Sequence, residues 1–319
     1  MTKIAFGSCM HVVDDATQSV WNEAAVHNPD WLILGGDNIY MNYGPAWFGP
    51  RRWPPPKFAA KMLERYTAQF SVPSFRALIE SIPAGQVIGV WDDHDFGWNN
   101  CYGTSIKDQM PAKSLIAHAM FHHYFAALNV RPLPPSLPAL SFAGLPNLIG
   151  STTKAYRALD LGPLRVLLCD GRSYREEDQS NPASASLLGN QQQLWLLTEI
   201  AAASKPVLIV SGSTMTSDGG DQSWDHFADF FKLKFLPATK SKIVVFLGGD
   251  VHKNRLPTPP KDFPVEIVSS GAAIGKIFRR RNFGVLEVSP AEATIRLFKK
   301  GAIQYSGQLD LVSGVFVLT

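Results

Sequence analysis

Residues 91–97, WDDHDFG, set three carboxylates and an imidazole into four consecutive positions, Asp92, Asp93, His94 and Asp95, directly after QVIGV, a run that reads as a buried strand. Burying one uncompensated carboxylate is costly, and burying neighbours is worse because like charges raise one another's pKa. Such a cluster calls for a cation, unless it is a solvated turn whose aspartates cap a helix. Three more strand-like runs end in polar residues: Gly7-Ser8-Cys9 with His11, Gly36-Asp37-Asn38-Ile39-Tyr40, and Gly249-Asp250-Val251-His252. Ligands collect at the carboxyl ends of strands in α/β sheets. The chemistry shared by the four clusters is metal binding. Aspartates supply anionic oxygens that can bridge two cations, His252 an imidazole, Cys9 a thiolate and Tyr40 a phenolate. Taken singly, Cys9 reads equally as a core thiol, Tyr40 as a loop aromatic and His252 as a turn residue. Taken together they point to a binuclear centre, which offsets the charge of Asp37, Asp93 and Asp250 and lowers the pKa of a bound water toward neutrality.

The elements that must position these residues alternate along the chain. KIAFGSC (3–9) and DWLILGGD (30–37) read as strands flanking a helix over TQSVWNEAAVH, a βαβ unit. A loop rich in aromatics and proline, NIYMNYGPAWFGPRRWPPP, precedes two amphipathic helices and the strand QVIGVWDD. AKSLIAHAMFHHYFAAL predicts a helix, and KAYRALDLGPLRVLLCDG a hairpin turning at Gly162 and Pro163. The βα alternation then resumes through NQQQLWLLTEIAAAS, PVLIVSGS, WDHFADFFKLKF and KIVVFLGGDVH. The tail segments VEIVSSGA, FGVLEVSP, EATIRLFKK and AIQYSGQLDL read as an antiparallel meander. This pattern predicts two mixed sheets packed face to face with helices outside, in one domain.

Composition narrows the function classes. A chain of 319 residues with 45% hydrophobic and 18% charged residues is neither disordered nor built for a membrane. A net charge of +3 does not mark a nucleic-acid binder, although KIFRRRN (276–282) is a local basic cluster that reads as a solvated loop or a substrate-steering patch. Three widely spaced cysteines, Cys9, Cys101 and Cys169, need no disulfide framework. No signal peptide or twin-arginine pair opens the sequence and no apolar run spans a bilayer, so the expectation is a cytoplasmic protein.

The motifs FGSC, GDNIY, WDDHDFGWNN, CDGRSYR and GGDVH, in that order, resemble the PhoD-like alkaline phosphatase and phosphodiesterase family of the calcineurin-like metallophosphoesterase superfamily. The resemblance runs from about Lys3 into the meander. It implies a four-layer α/β/β/α sandwich of two mixed sheets, with residues 1–319 as a single catalytic domain lacking an N-terminal accessory β-domain. By the same resemblance Asp37 is the bridging carboxylate, and Cys9, Tyr40 and His252 complete the first metal site. Asp93 stands where the superfamily has an asparagine on the second metal, and Asp250 where it has a histidine. The implied cations are Fe3+ in the Cys/Tyr/His site and Ca2+ in the oxygen-rich one, with Zn2+ or Mn2+ as alternatives. His94 is expected to stabilise phosphoryl oxygens or protonate the leaving group, with Asp95 orienting it. Arg172 is expected on the substrate phosphate or, equally, in an ion pair with Asp170 or a neighbour. Asn99 and Asn100 bind substrate or tie the loop. A further second-metal histidine expected after PVLIVSGSTM is replaced by Ser211, Ser213 and Thr214, and His11 sits where many members place a metal-binding histidine.

The activity implied is hydrolysis of small-molecule or lipid phosphate esters, mono- or diester, by metal-bound hydroxide attacking phosphorus. An alternative is a phosphodiesterase for lipid or nucleotide headgroups, walled by the aromatic loop 40–53 and FRRR. A non-catalytic binding scaffold on the same fold is disfavoured, because scaffolds lose ligands and Asp37, Asp93, His94, Asp250 and His252 are all present.

Overall fold

The runs IAFG, LILG and VIGV are apolar at successive positions, the pattern of strands covered on both faces. In the computed structural model they form β1 (Thr2–Gly7), β2 (Trp31–Gly35) and β3 (Val87–Val90), parallel neighbours in register Ile4 to Trp31 and Leu32 to Val87. The structure describes residues 1–41, 49–103, 106, 110–140, 154–176, 182–217, 222–275 and 280–319. Most of the aromatic loop after Met41 and residues 276–279 of the basic cluster lie outside them.

The second sheet comprises β4 (Arg157–Leu161), β5 (Leu164–Leu168), β6 (Val207–Val210), β7 (Val244–Gly248), β8 (Asn254–Arg255) and β9 (Val265–Ser269). Its order is β4-β5-β6-β7-β9-β8, with β5, β6, β7 and β9 parallel and an antiparallel strand at each edge. The β4–β5 hairpin turns at Gly162 and Pro163 as expected, Gly162 adopting a φ of 53°. The first sheet continues through β10 (Asn282–Val288), β11 (Glu292–Lys299), β12 (Ala302–Asp310) and β13 (Phe316–Leu318), giving the order β13-β12-β11-β10-β1-β2-β3.

One expectation about the tail is corrected here. VEIVS does not open the meander; it is β9, inserted parallel to β7 in the other sheet. All five of its residues are buried, so it needs neighbours on both faces, which an outer meander does not supply. A second difference is in WDHFADFFKLKF. It divides into a 3-10 turn at Trp224–His226 and helical turns over 228–239, because Trp224 is buried against Phe246 and holds the first turn on the sheet.

Helices α1 (Val20–Ala25), α2 (Pro55–Phe70) and α3 (Pro73–Ser81) pack with α5 (Pro111–Leu128) outside the first sheet, and α6 (Gly189–Ala202) lies outside the second. Between α3 and α5 stands the single turn α4 (Asp93–Phe96). Three apolar layers hold the assembly. Trp21, Phe58, Phe70 and Phe75 fill the outer face of the first sheet. Ile4, Phe6, Ile33 and Ile88 meet Val166, Leu208 and Val245 between the sheets. Leu196, Ile200, Trp224 and Phe246 close the second sheet. The result is the expected α/β/β/α sandwich of two mixed sheets. Among the described residues no helix is long and apolar enough to cross a membrane.

Candidate metal centre

The carboxyl ends of β1, β2, β3 and β7 meet where the two sheets converge. Backbone runs against backbone there: a Cβ on Gly249 would lie 2.5 Å from the Gly35 carbonyl oxygen and 2.7 Å from that of Gly212. No side chain fits between them, which is why this turn needs glycine. The loops after β1 and β2 are tied together by Cys9 N–H to Gly36 O (3.1 Å) and Met10 N–H to Asp37 O (2.9 Å).

Four predicted ligands share an unusual backbone. Cys9, Asp37, Asp250 and His252 have φ values of 63°, 51°, 72° and 54°, the left-handed region that costs most residues free energy. Strain of that kind persists where the surroundings over-determine it, and it gathers at functional sites. Here it turns four side chains from three strand ends, those of β1, β2 and β7, toward one point. Asp37 stands at the centre. Its Oδ2 accepts from the Tyr40 hydroxyl at 2.9 Å and from the Cys9 thiol at 3.5 Å, and Tyr40 Oη is 3.1 Å from His252 Nε2.

Among the described residues, three groups of side chains have donor atoms within 4.8 Å of one another: Cys9, Asp37 and His252; Asp37, Asp93 and His94; and Asp37, Asp92 and Asp250. Every predicted metal ligand except Tyr40 is in one of them, and Tyr40 lies against Asp37, His252 and His94. Asp37 belongs to all three. The donor set fits two cations, one beside sulfur, phenol and imidazole and one among carboxylates. Unpartnered buried atoms support the fit, since Asp92 Oδ2, His94 Nδ1 and Ser213 Oγ make no hydrogen bond.

Electrostatics point the same way. Burial, with Cys9 and the carboxylates of Asp93, Asp92 and Asp95 close by, holds the Asp37 carboxyl well above the usual range. Burial raises Asp250 to about 7, helped by Asp92 and Asp93, and raises Asp92 to about 6 against the pull of Arg172. The Cys9 thiol is pushed up to about 11 by burial. Asp93 alone goes down: burial is outweighed by Arg172, His94 and the N–H of Asn100. A carboxyl whose pKa is raised by folding contributes stability that is complete below its unfolded pKa and is lost as pH rises through the folded value. Metal-free protein should therefore lose thermal stability between roughly pH 4 and pH 7, and cations added near neutrality should restore it. Melting curves in chelator that show greater stability at about pH 8 than at about pH 5.5 would contradict this account.

The remaining predicted residues fall into different places. Arg172 is fully buried; its Nε donates to Asp92 Oδ1 at 2.5 Å and its Nη1 to Gln222 at 2.6 Å, while its Nη2 makes no hydrogen bond among the described residues and stands at ion-pair distance, 4.0 Å, from Asp93 Oδ1. The close ion pair is thus with Asp92, and toward Asp170 Arg172 gives only its backbone N–H (3.1 Å), beside those from Trp91 Nε1 and Ser173 N–H. Asn99 and Asn100 are exposed, and Asn100 ties the loop by donating its backbone N–H to Asp93. His11 lies outside the three groups, packed edge-on against Tyr40 at 4.7 Å, with its Nδ1 accepting from Asp14 N–H at 3.1 Å.

Asp95 does not orient His94. Its carboxylate accepts from Asn38 N–H, Asn38 Nδ2, Asp92 N–H and Tyr66 Oη, each at 3.1 Å. It pins the Asp37 loop to the Asp93 turn from behind, because a one-turn helix leaves backbone donors that need an acceptor. Two contributors escaped sequence reasoning. Asp92 was visible within the motif, but nothing in its spacing separates its role from that of Asp93. Ser270 carried no signal, yet its Oγ accepts from His252 N–H (2.9 Å) and lies 3.2 Å from Cys9 Sγ.

A likeness to solved structures agrees with this architecture. A dimetal phosphatase from Danio rerio superposes with a TM-score of 0.55 at 13% identity, covering 97% of this chain and 99% of that one. GAP50, the anchor in the inner membrane complex of Plasmodium, gives 0.49 at 12% identity, covering 98% and 90%. At 13% identity the likeness to the dimetal phosphatase concerns the fold alone. No curated protein matches the chain in sequence. A family model for PhoD-like phosphatases matches residues 4–282, which takes in all four strand-end clusters. By that match the chain belongs to the PhoD-like phosphatase family and is a metal-dependent phosphoester hydrolase.

Proposed function

We propose that this protein hydrolyses phosphate monoesters, and phosphodiesters at the same centre, with Fe3+ and Ca2+ as its cations. The observation that carries the reading is Asp37, one carboxylate common to three ligand groups. Cys9, Tyr40 and His252 with Asp37 would hold iron, since thiolate, phenolate and imidazole suit a transition metal. Asp37, Asp92, Asp93 and Asp250 would hold calcium, which takes oxygen ligands in flexible geometry and tolerates a serine where another member has histidine. Bound there, the cations would polarise a phosphoryl oxygen and make water nucleophilic near neutral pH.

The chain's own residues supply the remainder. Arg172 Nη2, which makes no hydrogen bond among the described residues, is a buried donor facing the carboxylates, suited to a phosphoryl oxygen, and its guanidinium is restrained by Asp92 and Gln222 so that little freedom is lost on binding. His94 packs its ring against Tyr40 with centroids 4.1 Å apart, which fixes the imidazole beside the same point. The groups needed to bind and neutralise a phosphoryl unit therefore come from five separate loops.

Metal analysis and colour test the assignment. Ferric iron held by phenolate and thiolate should give the purified protein a visible band, and Tyr40→Phe should bleach or shift it while the fold is kept. Cys9→Ser should weaken iron retention, because an alcohol replaces a readily ionised thiol. Protein loaded with stoichiometric iron but colourless from about 400 to 700 nm, with Tyr40→Phe fully active on p-nitrophenyl phosphate, would require another first-site ligand set, His11 being the nearest candidate.

A further inference from the structure

Arg280 stands beside the centre in an arrangement that hydrolysis alone does not call for. Its Nη1 donates to the backbone carbonyl of His252, so the guanidinium is tied to the residue that supplies an imidazole ligand. Its backbone is equally fixed. Arg280 N–H donates to Ile274 O at 2.9 Å in an isolated antiparallel bridge, and Gly275 N–H donates to Asp14 Oδ2 at 3.1 Å. Ala273, one residue earlier, bridges to Met10 beside Cys9. Loop ends pinned to two ligand loops hold an arginine whose side chain is exposed.

Charge separates Arg280 from the other arginines nearby. Arg281 is paired with Glu23 at 3.1 Å and Ser19 at 3.1 Å, and Arg172 is offset by Asp92. The anchor of Arg280 is a neutral carbonyl. Among the described residues its positive charge has no paired carboxylate, and it stands beside the His252 end of the centre. A guanidinium fixed in advance binds phosphate or carboxylate with less loss of freedom than a mobile one.

We propose that Arg280 is a specificity residue that binds a second anionic group of the substrate, beyond the reacting phosphoryl. The preferred substrates are then phosphate esters or anhydrides that carry a further phosphate or carboxylate. The proposal rests on the hydrolase reading above and names its substrate class. Two matched pairs of substrates test it with the full, metal-loaded protein. Glycerol 3-phosphate and 3-phosphoglycerate share the ester and differ by a carboxylate; glucose 6-phosphate and glucose 1,6-bisphosphate differ by a phosphate.

The wild type should favour the more charged member of at least one pair by roughly tenfold or more in kcat/KM, chiefly through KM, and the pair that responds identifies the second group. Added salt should shrink the preference because the contact is exposed. Arg280→Ala should bring the ratio to within about threefold of one, and Arg280→Lys, which keeps the charge without the fork, should retain part of it. An unchanged ratio in Arg280→Ala, a parallel fall for both members, or a wild type with no preference in either pair would overturn the proposal while leaving the hydrolase reading in place. Failure of the wild type to release phosphate from these esters and from p-nitrophenyl phosphate would instead remove the hydrolase reading, and this inference with it.

Discussion

Asp37→Asn should yield a folded protein that binds neither cation and has lost phosphatase activity by about 10³-fold or more, since bound cations supply several kcal/mol of transition-state stabilisation. The change is nearly isosteric, so packing is not the cause. Asp37 Oδ2 is the acceptor for Tyr40 Oη and Cys9 Sγ, and its carboxylate is shared by every ligand group. An amide removes the charge that attracts the cations and cannot bridge them. The metal-free fold should not suffer. Without cations Asp37 is repelled by Asp93, Asp92 and Asp95, and neutralising it relieves that repulsion. Metal content and melting temperature should therefore move apart: metal is lost, while the metal-free variant melts at or above the metal-free wild type. A variant that keeps its metals, or full activity on p-nitrophenyl phosphate and its bis-ester, would remove Asp37 from the bridging position.

His94→Ala should lower turnover by roughly 10²- to 10⁴-fold while metal content stays near that of the wild type. Burial lowers the His94 pKa to about 4 despite the neighbouring Asp93, so the imidazole is neutral at physiological pH. A neutral ring donates a hydrogen bond to a phosphoryl oxygen but holds no spare proton for a leaving group. The loss should therefore persist with nitrophenyl esters, whose leaving group needs no proton. Recovery with those esters would make His94 a general acid, its pKa raised by the bound phosphate dianion. Metal lost in step with activity would make it a ligand, a role its place beside Asp37 and Asp93 also permits.

Much of the architecture is legible in local patterns. Period and apolar continuity identify β1, β2, β3, β5, β6 and β7, because strands buried on both faces have few alternatives to being apolar throughout. The same signal misleads at VEIVS, whose apolar run does not say which sheet it joins. The glycine-carboxylate endings of β2 and β7 are visible as motifs, since a sharp turn at a strand end has a residue signature. Asp95 shows the limit. Its position within WDDHDFG suggests catalysis, whereas its four donors come partly from Asn38 and Tyr66, 57 and 29 residues away.

Local sequence carries the ligand types, their placement at four strand ends and the family resemblance, because each of these is a property of a few adjacent residues. How they combine depends on long-range packing. Cys9 and Ser270 are 261 positions apart, and Arg172 and Asp92 are 80 apart, yet each pair is in contact. Whether Asp92 or Asp93 takes the guanidinium depends on which side of β3 faces the second sheet, and that follows from the packing of the apolar layer between the sheets. The left-handed backbone at Cys9, Asp37, Asp250 and His252 is likewise imposed from outside, since none of these residues favours it enough alone. Chemistry is written locally in this chain; its convergence comes from burial, which brings the carboxyl ends of two sheets to one point.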